Sequence, residues 1–220
     1  MPERLGGRTW RHRVVGLFVG VLALLAVVGP PVEAAANPQG ALQTTVGHLS
    51  RVVVSSGPVD DRGSLVAVVG VQTGVASGRL LVLGYRGDRW RTLARLAVSQ
   101  YPIVPAQTVE VAHVTGDARP DFLVLVAAAD NTPGVVVGQV FGRWVLIDNA
   151  GPFPTSPYLA RSPHFVGGRL VSTFDDCQPD CASGTETPID WRYDRARREF
   201  TAPNPPGWVA PPGALNHRVA

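Results

Sequence analysis

The sequence predicts an all-β fold: about three antiparallel, blade-like repeat units after an N-terminal signal segment, as a partial β-propeller-like array or an open repeat sheet. Three observations carry this. From residue 64 onward, short Val-rich runs alternate with Gly- and Asp-containing turns, the mark of strands. Each run leads into a hairpin whose return strand starts with an aromatic residue. Those aromatics, Trp90, Trp144 and Phe200, lie 54 and 56 positions apart, the period of an internal repeat. The one long apolar run lies apart from all of this, at the N-terminus.

That run is VVGLFVGVLALLAVVG, residues 14–29. Arg4, Arg8, Arg11 and Arg13 precede it, Pro30 and Pro31 stop it, and the small-residue stretch VEAAA follows. Basic, apolar and small regions in that order form a secretory signal, with cleavage expected after Ala34 or Ala36. The run falls short of the ~20 residues that cross a bilayer, so residues 1–36 are assigned as a removed signal; a retained membrane anchor is the competing reading. The expected location is therefore secreted or extracytoplasmic. Without residues 1–36, 16 Arg face 15 acids, a net charge of +1, and Lys is absent throughout. A nearly neutral domain with no basic run lacks the electrostatic footprint of a nucleic-acid binder, which excludes that partner class.

Residues 37–63 form an N-terminal segment with a short helix at its start. Asn37 and Pro38 suit the cap and first helical position, and Leu42, Val46 and Leu49 recur at helical spacing. The β-repeat domain follows over 64–201. Its first unit runs through SLVAVVGVQ and RLLVLGYRGDRWRTLARL, turning at Gly87 and Asp88. The second comprises VEVAHV, DFLVLVAAA and GVVVGQVFGRWVLID, turning near Gly142; the third comprises GRLVSTF, TPIDWRY and REFTA, turning around Asp194. Three units are fewer than the 4–8 blades of closed propellers, so open sheet edges are expected, and with them oligomerisation or a docked partner. Residues 202–220 are a Pro-rich tail.

Cys177 and Cys181, the only cysteines, lie in CQPDC. In an exported chain this spacing, with Pro179 between them, predicts a disulfide across a tight turn. A CxxxC zinc half-site is the competing reading, and no second Cys or His pair accompanies it. Asp175, Asp176 and Asp180 beside the bridge read as solvated loop acids or as a cation site.

The segment VEVAHVTGDARPDFLVLV resembles the FG-GAP/VCBS repeat of integrin α-subunit propellers and many secreted bacterial proteins. There a strand, the loop D-x-[ND]-G-D-G-x-x-D and a second strand hold calcium through loop oxygens. Gly116, Asp117, Pro120 and Asp121 match that pattern, whereas His113, Thr115 and Ala118 depart from it. The resemblance implies a degenerate calcium loop in which Asp117 and Asp121 are the remaining ligands, with calcium the only cofactor suggested. The residues themselves also suit a turn: Gly116 and Asp117 form it, and Pro120 fixes the next strand. Zinc held by His113 and His164 is a third reading of the same loop. STFDDCQPDCASGTETPIDWRY is similar to segments of small secreted actinobacterial proteins of unknown function, which implies export and no particular activity.

The sequence contains no nucleophile elbow, zinc-protease helix, phosphate loop or dinucleotide fingerprint. A glycosidase needs two carboxylates across a cleft, and no spacing marks a pair. Trp90, Trp144 and Trp191, with Tyr85 and Tyr193, would line one binding face if the units were equivalent; packing between strands is the other reading. The expectation is a secreted, non-enzymatic β-repeat protein binding an envelope protein or glycan. An extracytoplasmic hydrolase of envelope glycan and a membrane-anchored accessory protein are the alternatives.

Overall fold

The computed structural model describes residues 37–49, 51–99, 103, 109–126, 132–150, 158–159, 162–175 and 183–202, all within the unit Ala36–Ala220. Residues 1–36, expected to be a signal segment, lie outside the described residues, as do Cys177, Cys181, Asp176, Asp180 and most of the Pro-rich tail. Those that are described form one short helix and three sheets, antiparallel but for one short parallel pair. The fold is all-β and open: no strand of the first sheet pairs with the third among the described residues.

The helix, α1 (Pro38–Gly47), starts as its sequence dictates. Asn37 caps it, Oδ1 accepting the N–H groups of Gln39 and Gly40 at 3.1 and 3.2 Å, and Pro38 takes the first turn where no donor is needed. Leu42 is its buried anchor, contributing about 2 kcal/mol by leaving water.

The first sheet contains β1 (Val52–Ser55), β2 (Val59–Asp61), β3 (Ser64–Gly74), β4 (Ser77–Arg86) and β5 (Arg89–Ser99), with β1 and β2 sharing one flank of β3. It thus begins at Val52 rather than at residue 64. The two strands before residue 64 are too short for alternation to show in the sequence, and Pro58, which has no N–H to offer a ladder, separates them. The second sheet is a meander of β6 (Glu110–Ala112), β7 (Asp121–Leu125), β8 (Gly134–Val140) and β9 (Arg143–Leu146). The third is a meander of β11 (His164–Val166), β12 (Arg169–Asp175), β13 (Glu186–Asp194) and β14 (Glu199–Thr201). The two-residue β10 (Asp148–Asn149), arriving from the second unit, pairs parallel to β14.

Turn chemistry fixes these registers. Arg62 and Gly63, Gly87 and Asp88, Phe141 and Gly142, and Gly167 and Gly168 all have positive φ at both central positions. Such pairs make two-residue hairpins whose twist matches that of the strands they join.

The sheets stack face to face. Val66, Val68, Leu80, Val82 and Val98 of the first sheet meet Phe122, Val124, Val135 and Val137 of the second in one core cluster. The opposite face of the second sheet, with Leu123, Val136 and Ile147, packs on Leu170, Ile189, Trp191 and Phe200 of the third. The outer face of the first sheet, with Val69, Leu81, Leu83 and Trp90, is covered by α1. The hairpin aromatics occupy equivalent register positions, Trp90 opposite Tyr85, Trp144 opposite Gln139 and Phe200 opposite Tyr193. Each packs toward the preceding unit, and α1 takes that place for the first. The units are therefore repeats in packing as well as in spacing, with the helix as a terminal cap.

Candidate functional site

The second unit differs from the other two in the link that precedes β7. Two residues suffice between β2 and β3 and between β11 and β12, whereas residues 113–120 link β6 to β7. Asp121 opens β7 and turns its carboxylate back into this loop. Its Oδ2 accepts the backbone N–H groups of Val114 and Thr115 at 2.8 and 2.9 Å and the Thr115 hydroxyl at 3.0 Å. The residue is 1% exposed, and burial pushes its carboxyl from 3.8 up to about 6. The Thr115 and Val114 donors act against the rise, and the Asp117 carboxylate adds to it. Burial, helped by the Asp121 and Asp117 charges, also raises the Tyr193 phenol. Room for Asp121 exists because β8 carries Gly138: a Cβ there would lie 2.6 Å from Asp121 Oδ1 and 2.7 Å from Ile147 Cδ1.

Asp117 stays exposed and closes the turn, Oδ1 accepting the Arg119 N–H at 2.8 Å. The His113 Nδ1–H donates to the Arg119 carbonyl at 2.7 Å, and His164 is similarly placed against the Ser162 carbonyl at 2.9 Å. This donor set does not fit calcium, which takes 6–8 oxygens. The Asp121 carboxylate is turned inward to N–H and O–H donors, His113 is tied to the backbone, and Asp117 is the one loop carboxylate facing solvent. Among the described residues no three His, Cys, Asp or Glu side chains gather as metal ligands, which disfavours the zinc reading too.

Instead the loop ties neighbouring sheets together. Arg119 Nη1 donates to Gln139 Oε1, Gln139 Nε2 donates to Asp61 Oδ2 at 3.1 Å, and Arg119 lies 3.8 Å from the same Asp61 oxygen. On the other side, Arg195 of the turn between β13 and β14 donates to the Gly116 carbonyl, and the Arg198 guanidinium of the same turn sits 3.6 Å from the centre of the Phe141 ring.

The three tryptophans do not share a face, which corrects the aromatic-surface expectation. Trp90 is buried beneath α1, its Nε1–H donating to the Pro38 carbonyl at 2.9 Å; Trp191 is buried between the second and third sheets, bonded to Ser172 Oγ at 2.8 Å. Trp90 and Trp144 are equivalent hairpin residues turned onto successive interfaces, and Trp191 of β13, opposite Leu170, belongs to the next interface. Trp144, half-buried with its ring 6.0 Å from Phe122, is the one that reaches a cleft.

That cleft, about 1040 Å³, opens where the first and second sheets splay beside their hairpin turns. Its floor includes Val66, Gly84, Leu93, Ala94 and Trp144, and its walls carry Arg62, Arg86, Arg91, Arg119 and Arg143. Asp61, held by Gln139, is the one carboxylate in the described lining. Charge is unevenly spread: residues 51–99 carry seven Arg against three Asp, whereas 109–149 carry two Arg against five acids. The arginines escaped the sequence reading because no two of the four exposed ones come from the same turn or strand. The Arg excess over 51–99 was the available signal.

No protein-family model matches this chain, and no curated protein matches it. Among the described residues no helix is long and apolar enough to cross a membrane.

Proposed function

We propose that the chain is an exported, non-enzymatic repeat protein with a binding or scaffolding role at the cell envelope, built on degenerate FG-GAP/VCBS-like units. The observation that carries this reading is the cleft between the first two sheets: five arginines around an apolar floor, with one engaged carboxylate. Glycan hydrolysis requires two carboxylates flanking the scissile bond, and the described lining offers one. Such a surface suits recognition better than bond cleavage. Export is supported by the basic, apolar and small-residue order of residues 1–36, and with it comes the proposed disulfide between Cys177 and Cys181. The test is co-sedimentation of the purified full-length chain with isolated cell envelopes, alongside assays for released sugar and peptide. Retention without turnover is expected; turnover abolished by acid-to-amide substitution would overturn the reading.

A further inference from the structure

We infer that this cleft holds an acidic glycan, with Arg62, Arg86, Arg91 and Arg143 meeting its carboxylate or phosphate groups and a sugar ring lying on Trp144. The inference rests on the binding role proposed above and names the ligand chemistry.

The four arginines come from different places: the β2–β3 turn, the end of β4, the start of β5 and the start of β9. All are exposed, and none has an ion pair or hydrogen bond among the described residues. Like charges gathered from two sheets, with Asp61 the one acid in the described lining and already engaged by Gln139, repel one another, and an anionic ligand relieves that repulsion. The planar guanidinium fork matches carboxylate and phosphate oxygens alike, and several forks in one cleft suit repeated anions better than a single ion.

The floor is suited to a ring. Val82 pairs with Ala94 and Leu83 with Thr92, so Leu93 is the extra residue of a β-bulge, 52% exposed in the cleft. Gly84 leaves it the space: a Cβ there would lie 2.8 Å from Leu93 Cδ1. With Trp144 it offers an apolar surface to the less polar face of a sugar. Among the described residues, Asp61 Oδ1 and Tyr85 Oη, both buried beside the cleft, have no hydrogen-bond partner.

A nucleic acid fits less well. One half-buried Trp gives little base stacking, and the second unit, which forms one side of the cleft, carries five acids against two Arg over 109–149.

The experiment is calorimetric titration of the full-length chain with four probes: a galacturonate oligomer, a glycerol-phosphate oligomer, a neutral galactose oligomer and a single-stranded oligonucleotide. Binding of either acidic oligomer, at least about tenfold tighter than the neutral one and weakened by salt, is expected; which one binds tells carboxylate from phosphate. The double variant Arg86→Gln/Arg143→Gln should lose about tenfold or more in affinity with an unchanged unfolding midpoint, whereas Arg79→Gln, outside the cleft, should bind as wild type. Equal binding of the neutral oligomer, tighter binding of the oligonucleotide, no binding of either acidic probe, or unaltered affinity in the double variant would each overturn the inference. Envelope co-sedimentation that survives in the double variant sinks the glycan assignment alone. Its absence in the wild-type chain sinks the binding role as well.

Discussion

The Asp121 carboxyl makes stability depend on pH in a direction opposite to that of most paired carboxylates. Its folded-state value of about 6 lies above the unfolded 3.8, so between these values the folded chain holds a proton that the unfolded chain has released. Stability from this group is fully present below pH 3.8, declines as pH rises, and is gone above about pH 6. At 1.36 kcal/mol per pH unit, the loss across the window is about 3 kcal/mol. Asp121→Asn keeps an oxygen for the Val114 and Thr115 N–H groups and carries no charge, so it should remove this slope and match or exceed the wild type at pH 7. Asp121→Ala leaves both donors buried and unpaired, at about 1–3 kcal/mol each. Urea unfolding of the three proteins from pH 4 to pH 7.5 measures all of these. An unchanged slope in Asp121→Asn, or an amide variant less stable than the alanine one, would refute the account of Asp121 as a buried turn-forming carboxyl.

The remaining predictions test its surroundings. Gly138→Ala forces a methyl against Asp121 Oδ1 and Ile147 and should cost about 1–3 kcal/mol, read as a lowered urea midpoint. Trp90→Phe removes the hydrogen bond to the Pro38 carbonyl; a loss of about 1 kcal/mol and faster hydrogen exchange confined to 38–47 are expected. Millimolar calcium should leave the wild-type melting temperature unchanged. A rise that Asp117→Ala abolishes would show that the loop binds the ion after all.

Much of the fold was legible because its signals are local. Asn37 and Pro38 mark the helix start, and the pairs at 87–88 and 141–142 mark hairpins through residues able to take positive φ. The aromatic spacing revealed three units, since equivalent residues recur at equivalent register. The first strands were missed because β1 and β2 are short and share one neighbour, an arrangement with no periodicity to read.

The site was less legible. In HVTGDARPDF the matching residues mark a loop longer than the turns of the other units, but identity alone does not say which way a carboxylate faces. The sequence by itself determined the strand pattern from residue 64 onward, the hairpin turns and the repeat, because each depends on residues close along the chain. Only the tertiary structure decided that Asp121 turns inward, that Trp90, Trp144 and Trp191 lie in different interfaces, and that arginines from separate turns and strands meet in one cleft. Those outcomes depend on which sheet packs against which, and that is set by contacts between residues far apart in the chain.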